Sequence, residues 1–245
     1  MKIFIHANSH RLPHNHNCFR AYEGFSEMGF ETVFFRSLSD IEDTSKEDIL
    51  VGYVGSTRRR LAQFGITPPE LDYPAELQGY LGREICTGKL SEIANNPARW
   101  PIFVKPVEDK LFTGVVVRST KDLVGCGSCG NDPDVFISPV VDFVAEWRCF
   151  VRYGRVLDVR PYLGNWRAHF DANIIEKAVT DYTTAPAGYA MDFGLTVDGR
   201  TLLLEVNDGY SLGCYGLNAI AYAKLLSARW AELTGTTDEC AFDQW

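Results

Sequence analysis

The stretch YAMDFGLTVDGRTLLLEVND, residues 189–208, decides the fold. Two apolar runs flank Asp198-Gly199, a dipeptide favoured in two-residue type I′ hairpin turns because both central positions need positive φ. Counting outward from such a turn sets Val197 against Arg200, Leu195 against Leu202 and Asp192 against Glu205. Side chains alternate between the two faces of a sheet, so Asn207 shares the face of Glu205. The leucines at 202–204 read as a strand entering a core, yet the strand ends in Glu205, Asn207 and Asp208.

Two carboxylates directly opposite one another destabilise a ladder, and partial burial makes this worse. A hard divalent cation removes that cost. Mg2+ takes oxygen ligands from one or two carboxylates and leaves positions for substrate phosphates and water. The alternative is a solvated hairpin end whose acids never meet. The expected register favours a metal set of Asp192, Glu205 and Asn207.

Outward from the hairpin, residues 1–74 alternate strand and helix signals and read as a small α/β unit with a parallel sheet: strands at 2–7, 31–35 and 49–54, helices at 18–28 and 57–64. Pro68, Pro69 and Pro74 mark a break. Short helical stretches at 75–81 and 90–95 then precede strands at 101–106, 114–118, 134–138, 143–152 and 155–163. Helices at 171–180 and 218–233 complete an α+β pattern.

Three segments together resemble the ATP-grasp superfamily. Asp192, Glu205 and Asn207 across a hairpin resemble its metal-binding signature. WPIFVKP, residues 100–106, is similar to the family strand that carries a nucleotide-phosphate lysine, here Lys105. AEWRCFVRYGRVLDVRPY, residues 145–162, is similar to the next hairpin, in which an acid binds the ribose and a later arginine faces the phosphates. The resemblance covers about residues 75–235. It implies an ATP-grasp fold preceded by a Rossmann-like α/β domain at 1–74, with a small subdomain at 75–140 carrying Lys105 and a large subdomain at 141–245 carrying the metal site.

The cofactors implied are ATP and Mg2+. By resemblance Lys105 contacts the α-phosphate and the adenine side of ATP, and Glu146 binds the ribose hydroxyls. Adenine lies against residues 136–141, using backbone groups of Ser138 and Val140. Arg160 first and Arg148 after it are the arginines expected to take a catalytic role, and Lys110 is the residue of EDKLFTG, residues 108–114, expected to seek a phosphate. Read without the resemblance, Lys105 is also a lysine snorkelling at a strand end, Glu146 a surface residue, and the arginines exposed sheet residues. The implied chemistry is ligation. A carboxylate takes the γ-phosphoryl group of ATP, and an amine then displaces phosphate from the acyl phosphate to give an amide. The partners are a small-molecule or peptide carboxylate and an amine, and the reading is compatible with a homodimer.

Two features depart from the family pattern. EDKLFTG has only Gly114 where a glycine-rich lid is usual, and Ala190 stands where many members carry a basic residue. The chain resembles a compact clade with rearranged basic groups, in which Lys177 is a possible substitute. These departures keep a second class open, a nucleotide-binding regulatory module or pseudoenzyme. A phosphohydrolase would use the acids but not Lys105 and Glu146. YLGNWRAHF, residues 162–170, is expected at the acceptor pocket, and DGYSLGCYG, residues 208–216, at the carboxylate substrate, with Trp166 and Tyr210 as their markers.

Composition narrows the classes. A net charge of −8 argues against nucleic acid or an anionic membrane surface as partner, since both need clustered Lys and Arg. No run approaches the ~20 apolar residues of a membrane span. Seven scattered cysteines without a secretory signal fit a reduced, cytoplasmic protein. HANSHRLPHNHNC, residues 6–18, reads as a substrate-contacting loop or a plain surface loop, with a metal site last because the spacing matches no zinc pattern. The CxxC of Cys126 and Cys129 reads as a turn, and GYVGST, residues 52–57, as a strand-to-helix turn without a P-loop lysine.

Overall fold

The expected hairpin forms, by a different route, in a computed structural model that describes residues 1–108, 111–127 and 131–242. Strand β10 (Gly188–Thr196) pairs antiparallel with β11 (Thr201–Asp208). The turn holds three residues rather than two: Thr196 N donates to Arg200 O at 2.9 Å and Gly199 N to Thr196 O at 3.0 Å. Gly199 takes φ 84°, the left-handed position such three-residue loops require. Asp198 accepts hydrogen bonds from the Thr196 hydroxyl and from Arg200 Nε, which favours this loop over the type I′ turn. Leu195 therefore faces Thr201 and Gly194 faces Leu202, one position off the expected register. A bulge between Asp192 and Phe193 absorbs Leu204 and brings Asp192 opposite Glu205.

Residues 1–80 with 143–245 form one compact unit, and residues 81–142 form another. In the first unit β1 (Ile3–His6), α1 (His16–Glu27), β2 (Thr32–Phe35), β3 (Ile49–Val51) and α2 (Val54–Gln63) build a parallel sheet of order β2-β1-β3. A second sheet, order β11-β10-β8-β9, takes β8 (Phe143–Arg152) and β9 (Arg155–Gly164), and all its neighbours are antiparallel. Helix α4 (Ala172–Asp181) starts on its N-cap Asp171, which accepts from Asn173 N. Helix α5 (Ala219–Thr234) starts on Asn218, which accepts from Ile220 N and Ala221 N, and stops at the left-handed Gly235.

One core joins both sheets of this unit through α1 and α5: Ile3, Ile5, Phe25, Leu61, Phe150, Ala190, Tyr222, Leu225 and Trp230 pack together. Burial of such side chains, worth roughly 1.5–3 kcal/mol each, holds β8 and β10 rigidly from behind. The second unit is an antiparallel sheet, order β4-β7-β5-β6, made of β4 (Cys86–Lys89), β5 (Ile102–Pro106), β6 (Val115–Val117) and β7 (Asp134–Ser138). The short helix α3 (Leu90–Ala94) follows β4, and Leu90, Ile93, Val104, Val117, Val135 and Ile137 share its core. Among the described residues no helix is long and apolar enough to cross a membrane.

Candidate functional site

Sheet order brings the expected residues of the larger unit together. Strand β10 is central and almost wholly buried, with β11 on one side and β8 on the other. Asp192 therefore has two cross-strand neighbours, Glu205 and Arg148. It is 2% exposed, and Arg148 grips both its oxygens, Nε to Oδ1 at 2.7 Å and Nη2 to Oδ2 at 2.6 Å. The same guanidinium lies 3.8 Å from Glu205 Oε1. Asn207 Nδ2 donates to Glu205 Oε1 at 3.0 Å and to Asp192 Oδ2 at 3.4 Å. The acids do meet, and an arginine shares the charge between them.

Burial pushes the Asp192 carboxyl up to about 6, against the pull of Arg148. Burial also works against the charge of Arg148, but its bonds to Asp192 and the nearby charges more than reverse that. The side chains fit a hard divalent cation: two carboxylates and a carboxamide in mutual contact, one carboxylate largely buried and the other 30% exposed. Among the described residues no group of three His, Cys, Asp or Glu gathers as a metal site, so any metal set depends on Asn207 for its third ligand.

Arg160 on β9 pairs directly with Arg148 and is 40% exposed. Its Nη2 donates to Gly216 O at 2.9 Å, and its Nη1 lies 3.3 Å from Asp158. Glu146 lies two residues before Arg148 on β8, half-buried. Burial raises its pKa, a hydrogen bond with Tyr162 lowers it, and Glu205 raises it again. Tyr162 stacks on Tyr215 with centroids 5.0 Å apart, and Arg148 sits 4.8 Å over the same Tyr215 ring. Glu146, Tyr162, Tyr215, Arg148 and Asp192 thus form one continuous chain of contacts.

Tyr215 is the residue sequence reading missed. Its left-handed φ of 39° in the loop after β11 leaves no signal in the composition. That loop is tied down at several points. Asp208 is held by Arg229 at 2.7 and 2.6 Å, Ser211 Oγ donates to Gly52 O, and Asn17 Oδ1 accepts from Cys214 N. Tyr210 is 4% exposed and its hydroxyl accepts from Arg58 Nε at 2.6 Å, so this ring packs as a support of the loop. Trp166 is 81% exposed.

In the smaller unit Lys105 lies on β5 opposite Phe136, half-buried beside the buried Val104 and Pro106. Ser138 ends β7, buried, its hydroxyl donating to Pro139 O at 3.1 Å; Val140 follows in the segment after the strand, half-buried. Lys110 and Cys129 lie outside the described residues. Lys177, expected as a substitute phosphate contact, lines a cavity of about 630 Å³ with Glu76, Tyr80, Asp181, Gly199 and Arg200, and no member of the Asp192 cluster lines it. The turn end of the hairpin, not its carboxylate end, is where the helix places this lysine.

A family model described as "ATP-grasp domain, R2K clade family 2" matches residues 80–225. No curated protein sequence matches the chain. In fold it is similar to an L-amino acid ligase from Bacillus licheniformis, with TM-score 0.60, 13% identity, and coverage of 100% of this chain and 77% of that one. It is also similar to the D-cycloserine synthetase DcsG, with TM-score 0.57, 13% identity, and coverage of 94% and 100%. N5-carboxyaminoimidazole ribonucleotide synthetase from Thermotoga maritima gives TM-score 0.58 and 14% identity, with 95% and 76% covered.

Proposed function

The chain belongs to the ATP-grasp domain family, R2K clade family 2, and from that membership we propose an ATP- and Mg2+-dependent ligase that activates a substrate carboxylate as an acyl phosphate and joins it to an amine. The observation that carries this reading is the opposition of Asp192 and Glu205 with Asn207 beside them. Like charges directly opposite destabilise a ladder, and Arg148 offsets part of that cost while Glu205 stays partly exposed to a further cation.

In this proposal Asp192, Glu205 and Asn207 hold Mg2+, which when bound neutralises phosphate oxygens. Arg148 fixes the orientation of Asp192. Arg160, partly exposed on β9, offers its remaining N–H groups to the phosphoryl oxygens. Glu146 accepts from the ribose hydroxyls, steadied by Tyr162. Lys105 binds the α-phosphate, and backbone groups of Ser138 and Val140 take the adenine. The substrate carboxylate attacks the γ-phosphorus in line and ADP leaves. The amine nitrogen then attacks the acyl carbon, phosphate departs and the nitrogen loses a proton. Positioning and charge stabilisation account for the catalysis, with no nucleophilic side chain.

The substrates are a small-molecule or peptide carboxylate and an amine, in a reducing cytoplasmic setting where the cysteines among the described residues are free thiols. A second reading, a nucleotide-binding module without turnover, draws on Arg148 holding both oxygens of Asp192. ADP release separates the two. Release that requires both a carboxylate and an amine supports the ligase, release with neither supports a hydrolase, and ATP binding with no release under any pairing supports the module.

A further inference from the structure

The loop that leaves β11 carries a strained aromatic residue that the proposed chemistry does not use. Leu217 N donates to Cys214 O at 2.8 Å, and the two residues between them, Tyr215 and Gly216, take left-handed φ of 39° and 82°. Two successive positive φ values inside one such bond are the pattern of a type I′ turn, whose first central position suits Asn, Asp or Gly. A bulky side chain is disfavoured there by contact with its own backbone. Strain of this kind persists only where the surroundings over-determine it, and it gathers at working sites. Here the turn is held at two points: Arg160 Nη2 donates to Gly216 O at 2.9 Å, and Cys214 N donates to Asn17 Oδ1 at 3.0 Å.

The contacts of the ring show what the strain secures. Tyr215 stacks on Tyr162, centroids 5.0 Å apart and planes 22° from parallel, and the Arg148 guanidinium sits 4.8 Å from the centre of the same ring. A guanidinium over an aromatic face is attracted to it, more so where water is excluded, and Arg148 is buried. Backbone closes another side: a Cβ built on Gly213 would lie 3.6 Å from Arg148 Nη1 and 3.3 Å from two atoms of the Tyr215 ring. Nε and Nη2 bond Asp192. A second acid is close by. Glu205 Oε1 lies 3.8 Å from Nη2, so a shift of about 1 Å would bring it within bonding range of the guanidinium. An arginine bonded to both acids competes with a divalent cation for the same oxygens.

We propose that Tyr215 is a positioning residue: stacked on Tyr162, its ring pins the Arg148 guanidinium on Asp192 and keeps it off Glu205, so that Glu205 and Asn207 remain for a divalent cation. The pinning of Arg148 stands on the contacts alone; its consequence for the cation rests on the ligase reading. The role asks for a π face and not for the hydroxyl. Phe therefore serves at position 215. Leu meets the same backbone strain at φ 39° but offers no π face, and it does not serve.

The test compares the full chain as wild type, Tyr215→Phe and Tyr215→Leu, by nitrogen NMR of the arginine side chains and by calorimetric titration of a non-hydrolysable ATP analogue at a series of Mg2+ concentrations. A pinned guanidinium gives a persistent Arg148 Nε–H resonance, which should survive in Tyr215→Phe and broaden in Tyr215→Leu. The Mg2+ concentration for half-maximal analogue binding should rise about fivefold in Tyr215→Leu, as expected for one cation–π contact, and stay near the wild-type value in Tyr215→Phe. Should Tyr215→Leu not fold, Tyr215→Asn takes its place, because Asn suits the left-handed turn and also lacks the π face. An Arg148 resonance that is the same with and without the ring overturns the proposal, whatever the nucleotide does. A resonance lost with the ring, in a protein whose wild type binds no nucleotide, sinks the ligase reading and leaves the pinning of Arg148 standing. Nucleotide binding with the same Mg2+ requirement in every variant does the reverse.

Discussion

Asp192 and Arg148 are the pair on which the candidate site turns, and their burial fixes what a substitution does. Removing one partner of a buried pair strands the other charge without solvent, at about 3–5 kcal/mol. Arg148→Met should therefore lower stability by about that much, and adding Asp192→Leu should recover most of it. Urea denaturation of the single and double variants checks this, and a double variant no more stable than the single one would refute it. The pair was not legible in the sequence. Asp192 and Glu205 could be found by counting along one hairpin, whereas Arg148 becomes a partner only because β8 lies next to β10. Tyr215 was hidden for the same reason, since its neighbours Arg148 and Tyr162 come from two other strands.

The hairpin shows how a correct pairing can come from an incorrect turn. Asp198-Gly199 signalled a turn in the right place, but hydrogen bonds from Thr196 and Arg200 to Asp198 widened the loop to three residues. The bulge at Leu204 restored the count before Asp192. Strands with clear apolar runs, such as Asp134–Ser138 and Phe143–Arg152, stand where the pattern put them. Cys86–Lys89 was missed, because CTGK has no apolar run and is a strand only by pairing with β7. Two glycines of the hairpin separate local from packing effects. A Cβ at Gly199 meets open space but is strained by φ 84°, so Gly199→Ala should cost about 1 kcal/mol. A Cβ at Gly209 would lie 2.2 Å from Gly188 O, backbone against backbone, so Gly209→Ala should cost distinctly more. Thermal melts of the two variants in the opposite order would contradict the packing at the end of β11.

For the whole molecule, pH and nucleotide are the informative variables. Burial, then hydrogen bonds to Asp181 and Asp238, raises the hydroxyls of Tyr80 and Tyr153 to about 12. A group whose pKa is raised on folding adds stability that is complete below its unfolded value, near 10 for tyrosine, and lost as pH climbs through the folded one. Stability should thus be insensitive to these tyrosines up to about pH 9 and fall between about 10 and 12, and the double variant Tyr80→Phe, Tyr153→Phe should flatten that fall. An unchanged alkaline limb in urea melts would count against it. The family and the α+β fold were legible from three local motifs, because each sits within one strand or one hairpin. Substrate identity was not, since one scaffold serves many acids and amines. The most direct test of the nucleotide site is calorimetric titration of a non-hydrolysable ATP analogue, with and without Mg2+, into the wild type and Glu205→Ala. Mg2+-dependent binding that weakens markedly in Glu205→Ala is the predicted result; no binding, or equal binding by both proteins, would contradict a metal–nucleotide site at Asp192, Glu205 and Asn207.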